Sequence, residues 1–291
     1  MWCSRRVVPG LLVLLAGCSS ESAGSPGGSV AGSTSDASTA VATSSSGTGG
    51  AGGGASATTT TGAGGSATAR AVLYIGNSYT YVNDLPGTIA GLATSSGVPP
   101  LLPPTSITPG GTAFSDHWAS ADVQSALATG TYDVVVLQGQ SVEPLADPAG
   151  FQSYGEQLAD AAIASGAEVL LYQTWARKEG SDVYGEVWSG GAPAAMQDGL
   201  TAAYATLAAT TGATVAPVGE AFRLSLAAHP EIELYSADGS HPSPEGTYLG
   251  ACVFYHVLTG APVPPAATLP AGIDASEAAA LQEAAEAALA N

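Results

Sequence analysis

Cysteine is scarce, with three in 291 residues, and their positions leave no disulfide framework. Cys3 and Cys18 fall in an N-terminal segment described below, so Cys252 alone remains for the folded part. Its neighbours Tyr248, Leu249, Val253 and Tyr255 mark a packed, inert thiol, not a nucleophile. Without a cross-link, stability has to come from a hydrophobic core, and the chain is long enough to bury one. Basic residues are nearly as rare. Six Lys and Arg stand against 24 Asp and Glu, and removal of Arg5 and Arg6 with a signal segment would leave four against 24. Such a surface repels polyanions, so nucleic acid, which is bound largely through phosphate neutralisation, is not expected as a partner. An uncharged substrate suits the charge better, although the charge also serves to keep an exported protein soluble. Only four histidines are present, with no H-E-x-x-H and no Cys/His ligand spacing, so neither a metal nor a cofactor is expected.

The N-terminus carries what little basic and apolar patterning there is. Arg5 and Arg6 precede the apolar run Val7 to Ala16, which is too short to span a bilayer and reads as an export signal over residues 1–17. Leu15-Ala16-Gly17-Cys18 is similar to the bacterial lipobox, which implies lipidation of Cys18 and a membrane attachment through that lipid alone. Ser19 and Ser20 suit sorting to the outer membrane; plain secretion is the alternative. Residues 18–69 are almost wholly Ser, Gly, Thr and Ala, too poor in large apolar side chains to offset the entropy of folding, and read as a flexible tether. Gly47, Gly49 and Gly52 match the G-x-G-x-x-G dinucleotide pattern, but no strand precedes them and no helix follows, so the match is accidental.

From Arg70 the texture changes, and residues 70–291 read as one globular domain. Apolar or β-branched runs at Ala71–Gly76, Leu101–Ile107 (weak), Asp133–Gln138, Glu168–Thr174 and Ala213–Val218 predict about five strands buried on both faces, as in a parallel sheet. Between them Leu85/Ile89/Leu92, Phe151/Tyr154/Leu158 and Met196/Leu200/Leu207 recur at helical spacing. Ser243 as N-cap with Pro244 behind it predicts a helix to about Leu258, and Ser276–Ala290 a final one. Strand alternating with helix predicts a three-layer α/β/α domain.

In such sheets the working crevice lies beyond the carboxyl ends of the strands. There the sequence sets Gly76-Asn77-Ser78-Tyr79 after the first strand, Pro109-Gly110-Gly111 after the second, Gln138-Gly139-Gln140-Ser141 after the third, and Asp238-Gly239-Ser240-His241-Pro242 before the late helix. A serine hydroxyl needs a base to take its proton as it attacks a carbonyl. Histidine can do so, with a carboxylate on its other ring nitrogen to fix the tautomer. Ser78, His241 and Asp238 are the candidates. The developing oxyanion needs donors already in place, for which the Ser78 N–H, an N–H of Gly110 or Gly111, and a Gln amide of the third strand are available.

Ile75-Gly76-Asn77-Ser78 resembles the nucleophile block of the SGNH/GDSL hydrolases, and Asp238-Gly239-Ser240-His241-Pro242 is similar to their D-x-x-H block. The resemblance runs in order from about Arg70 to Thr259. It implies a flavodoxin-like fold, Ser78 as nucleophile, His241 as base and Asp238 as its orienter. Two departures stand out: Asn77 replaces the usual Asp, and Gln138-Gly139-Gln140-Ser141 stands where G-x-N-D is usual. The latter looks like the Gln-Gly-Glu block of sialate and xylan acetylesterases, which implies an acetyl ester on a carbohydrate or other small-molecule ester as substrate, with Gln138 as first choice of amide donor and Gln140 as second. A lipase, thioesterase or acyltransferase would keep the same triad, and a surface binding protein with a decayed site is the reading from a different class. His117 is expected in a structural interaction, His229 at a helix end and His256 packed. Trp118, Trp175 and Trp188 are expected in core or rim packing, with a sugar-stacking wall as the alternative.

Overall fold

A computed structural model of the chain describes residues 69–96, 98, 101–264 and 269–290. The export signal, Cys18 and the tether read from the sequence lie outside the described residues, except for Ala69.

The order of elements is β1 (Val72–Ile75), α1 (Ser78–Tyr81), α2 (Leu85–Ser96), β2 (Thr105–Ile107), α3 (Phe114–Ala119), α4 (Ala121–Ala128), β3 (Val134–Leu137), α5 (Glu143–Ala146), α6 (Pro148–Ala164), β4 (Glu168–Tyr172), α7 (Pro193–Thr211), β5 (Thr214–Ala216), α8 (Val218–Ala228), α9 (Pro244–Thr259) and α10 (Ala275–Leu289). The five strands pair in parallel in the order β2-β1-β3-β4-β5. This is the flavodoxin-like order, whose direction of winding reverses at β1 and opens a crevice at the carboxyl ends of β1 and β3.

Strand periodicity builds the three layers. Alternate residues point to opposite faces, so Val72 and Tyr74, Val134 and Val136, Leu170 and Tyr172 join one core with α2, α8 and α9. Leu73 and Ile75, Val135 and Leu137, Val169 and Leu171 join the other, with Phe114, Leu127, Phe151, Leu158 and Tyr204. The unbroken apolar runs of β1 and β3 are buried along their whole length, because each face has helices to cover it. Each fully buried large side chain contributes roughly 1.5–3 kcal/mol. The run from Leu101 is a strand only over Thr105–Ile107, with Leu101 making an isolated bridge to Arg70. As an edge strand β2 has one neighbour, which is why its polar, exposed residues sufficed.

Helix α9 is buried almost all round, Cys252 included, since α10 covers the side turned away from the sheet. Burial pushes the Cys252 thiol up to about 12, in keeping with an inert side chain. Ser243 caps α9 by accepting from Gly246 N at 3.0 Å. Helix α10 starts one residue earlier than expected. Asp274 is its N-cap and forms a reciprocal capping box with Glu277, and a carboxylate at that position takes more orphan amides than Ser276 could. No helix among the described residues is long and apolar enough to cross a membrane.

Candidate active site

The turn from β1 into α1 presents Ser78. Asn77 caps that helix, its Oδ1 accepting from Tyr79 N at 3.2 Å. Its Nδ2 donates to the carbonyls of Thr112, at 3.1 Å, and Gly139. The Asp usual in this block has no proton to donate there, so the change to Asn ties the β1 turn to the loops after β2 and β3. Gly76 is required by close approach: a Cβ there would lie 2.7 Å from both Gln138 Oε1 and Thr80 Oγ1.

The second half of the site is the loop before α9. Asp238 Oδ1 accepts from the backbone N–H of Ser240 and of His241, each at 2.9 Å, an Asx turn that needs Gly239 at φ 66°. Asp238 Oδ2 meets His241 Nδ1 at 2.5 Å, and His241 Nε2 lies 2.8 Å from Ser78 Oγ. Desolvation pushes the Asp238 carboxyl up, but hydrogen bonds from the His241 ring and from the Ser240 and His241 amides outweigh it and hold the group down at about 2. The ionised carboxylate can only accept, so Nδ1 carries the proton and Nε2 is left to accept from the Ser78 hydroxyl. Ser, His and Asp, far apart in the chain, are thus in one hydrogen-bonded line.

Around this line the loops are braced by groups with no obvious signature in the sequence. Tyr79 stacks on Trp175, with centroids 4.4 Å apart, and meets the His241 ring edge-on at 5.6 Å. Trp175 stacks in turn on Phe222 and donates its indole N–H to Ser240 O at 3.0 Å. Arg177, half-buried, donates to the Tyr79 hydroxyl and to Ser141 Oγ. Buried Glu143 accepts from Phe114 N and from Gln140 N, the latter at 2.8 Å. Desolvation raises the Glu143 carboxyl, against the lowering effect of the Gln140 and Phe114 amides. A carboxylate three residues beyond Gln140 and a cation five beyond β4 were legible as residue types, but nothing local says that they turn inward.

The two glutamines are held differently. Gln138 is wholly buried, and its Nε2 donates to Asn77 Oδ1 at 2.9 Å and Gly139 O at 2.5 Å. Both amide hydrogens of Gln138, the first-choice donor of the sequence reading, are engaged in bracing the loops. Gln140 spends only its Oε1, accepting from Val142 N and Glu143 N. Among the described residues no hydrogen bond occupies its Nε2. The Pro109-Gly110-Gly111 turn reaches α1, where a Cβ on Gly110 would lie 3.4 Å from the Tyr81 hydroxyl, and Gly111 takes φ 75°.

The other histidines have structural surroundings. His117 Nε2 lies 2.9 Å from Gly76 O and 3.0 Å from Thr112 Oγ1, under the β1 turn, and burial lowers its pKa. His229 is the C-cap of α8, and His256 lies in α9. The three tryptophans form no common wall. Trp175 is buried in its stack, Trp118 packs on the sheet core, and Trp188 joins a small cluster with Met196 and Leu200. Among the described residues no group of His, Cys, Asp or Glu gathers closely enough to hold a metal ion.

Neither a protein-family model nor a curated protein matches the chain. Solved structures do. An SGNH hydrolase from Slackia heliotrinireducens is 32% identical, with a TM-score of 0.57 over 66% of this chain and 100% of that one. A DUF4886 family protein from Bacteroides uniformis is 20% identical, with a TM-score of 0.63 over 76% of this chain and 95% of that one. An acetyl xylan esterase, 17% identical, covers 64% of this chain and 98% of its own length with a TM-score of 0.51, a likeness of fold. With the parallel five-stranded sheet, the order of the motifs and the identity to the Slackia enzyme, the chain belongs to the SGNH hydrolases.

Proposed function

We propose that this hydrolase is a serine esterase that removes an acyl group, most simply an acetyl group, from a carbohydrate ester. The observation that carries the reading is the contact of 2.8 Å between His241 Nε2 and Ser78 Oγ, continued through Nδ1 to Asp238. Ser78 Oγ attacks the ester carbonyl while His241 Nε2 takes its proton. The tetrahedral oxyanion accepts from the Ser78 N–H, an N–H of Gly110 or Gly111, and the Nε2 group of Gln140, whose backbone Glu143 holds in place. Collapse of this intermediate expels the alcohol, protonated by His241, and leaves acyl-Ser78. Water, deprotonated by the same nitrogen, then releases the carboxylic acid and restores the serine.

Two features support a small acyl group on a bulky alcohol. The site is open, with 34% of the His241 side chain and 49% of the Asp238 side chain exposed, so a large acceptor can reach it. The fold is also that of an acetyl xylan esterase. Ser78→Ala is expected to lose p-nitrophenyl acetate hydrolysis and labelling by a fluorophosphonate while keeping its melting temperature; turnover or labelling that persists in the variant sinks the assignment. Chain-length profiling tests the acyl group, because rates peaking at eight carbons or more exclude an acetylesterase. Export and lipid attachment at Cys18 belong to the same proposal, and palmitate incorporation that survives Cys18→Ser removes the anchor.

A further inference from the structure

The described residues include four cations, and three of them are paired. Arg70 meets Glu168, Lys178 meets Glu233, and Arg223 meets Glu220. Arg177 has no carboxylate within salt-bridge distance, and it is the one at the crevice. Its Nη1 donates to the Tyr79 hydroxyl and its Nη2 to Ser141 Oγ. Since a guanidinium has five N–H donors, three are left without a partner among the described residues. Its central carbon and the His241 ring each lie 5.6 Å from the Tyr79 ring centroid, so the cation and the triad flank one aromatic side chain.

This placement is costly. Burial lowers the Arg177 pKa, and the charge of Asp238 offsets that only in part. Asp238 is itself engaged by three hydrogen bonds, from the Ser240 and His241 amides and the His241 ring. A half-buried guanidinium bonded only to two neutral hydroxyls, in a chain of net charge −18, has no charged hydrogen-bond partner among the described residues.

We propose that Arg177 is a carboxylate subsite of the crevice, so that the ester this enzyme cleaves is carried by a sugar acid. The inference rests on the esterase reading above and names its substrate class. The planar fork of Arg suits the two oxygens of a carboxylate, whereas a neutral sugar hydroxyl would leave the charge uncompensated. The acidic surface does not forbid such a ligand. Beyond about 8 Å its field is screened at physiological ionic strength, while contact with Arg177 is short-range.

The test compares acetylated methyl glucuronoside and methyl galacturonoside with the corresponding acetylated methyl glucoside and galactoside. Wild-type protein is expected to favour at least one acidic member over its neutral twin on the order of tenfold in kcat/KM, the scale of a charge-assisted contact. Arg177→Met should bring that ratio to about one. No preference in either pair overturns the proposal, as does a preference that survives Arg177→Met or an equal loss on both members of a pair. Should Arg177→Met fail to fold, Arg177→Lys reads the same question. A point charge replaces the fork, and the ratio should fall several-fold; an unchanged ratio overturns the proposal. Calorimetric titration of Ser78→Ala with glucuronate, galacturonate, glucose and galactose separates the two readings. Binding of an acid alone, lost with Arg177, supports the subsite even if no ester is cleaved, and absence of such binding overturns it.

Discussion

Gln138 holds Asn77 from both ends: its Oε1 accepts from the Asn77 backbone N–H at 3.0 Å while its Nε2 donates to the Asn77 side-chain Oδ1 at 2.9 Å. The end of β3 is thereby locked to the turn that carries Ser78. Oε1 also accepts from Thr80 Oγ1 at 2.9 Å, so one buried amide organises the first turn of α1.

Two glutamines two residues apart are therefore expected to fail differently. Gln138→Ala strands the buried Asn77 N–H and opens a void, which should cost about 1–3 kcal/mol or more and lower the melting temperature together with the rate. Gln140→Ala loses the cap on the part-buried amides of Val142 and Glu143, about 1 kcal/mol, but should reduce kcat about a hundred- to a thousand-fold as the proposed oxyanion donor. Thermal melts and steady-state kinetics on both variants check this, and an unaltered kcat in Gln140→Ala removes that residue from the proposed mechanism.

Replacement of the proposed base should be as damaging as loss of the proposed nucleophile. His241→Ala is expected to lower kcat by on the order of 10²–10⁴. Asp238→Asn should leave a hydrogen bond but free Nδ1 of its obligation to carry the proton, and is expected to cost kcat more than KM. Kinetics on p-nitrophenyl acetate decide, and a kcat near wild type in either variant contradicts the line from Ser78 to Asp238.

The pH dependence at the acid end has a definite sign. The Asp238 carboxyl is depressed from an ordinary 3.8 to about 2 in the folded chain. Its contribution to stability is therefore complete above 3.8 and is lost as pH falls through about 2. Melts of wild type and Asp238→Asn should converge over that window and remain separated above it.

Glu143 carries the opposite sign. Desolvation raises its carboxyl above the ordinary 4.5, so its linked contribution is fully present below 4.5 and declines as pH rises through the folded value. Glu143→Gln should abolish that component of the pH profile. Glu143→Ala strands the N–H groups of Phe114 and Gln140, at roughly 1–3 kcal/mol for each left buried, and should lower kcat through Gln140. Melting curves at several pH values, with kinetics at one, test both statements.

The sequence by itself determined the layered architecture, because the period of apolar residues is a local property. Runs such as Val134–Leu137 can be buried only between two layers, and Ser243-Pro244 caps a helix wherever it lies. The candidate triad was legible too, since Asp238 and His241 share one turn and Ser78 ends a strand. What only tertiary structure decided was which polar side chain faces which. Gln138 and Gln140 have the same chemistry and differ by the alternation of a chain leaving its strand, so burial at Asn77 assigned one to the scaffold and left the other amide free. Arg177, Tyr79 and Glu143 owe their places to segments distant in the chain. No local pattern encodes that, because the free energy of a buried charge depends on partners that only folding supplies.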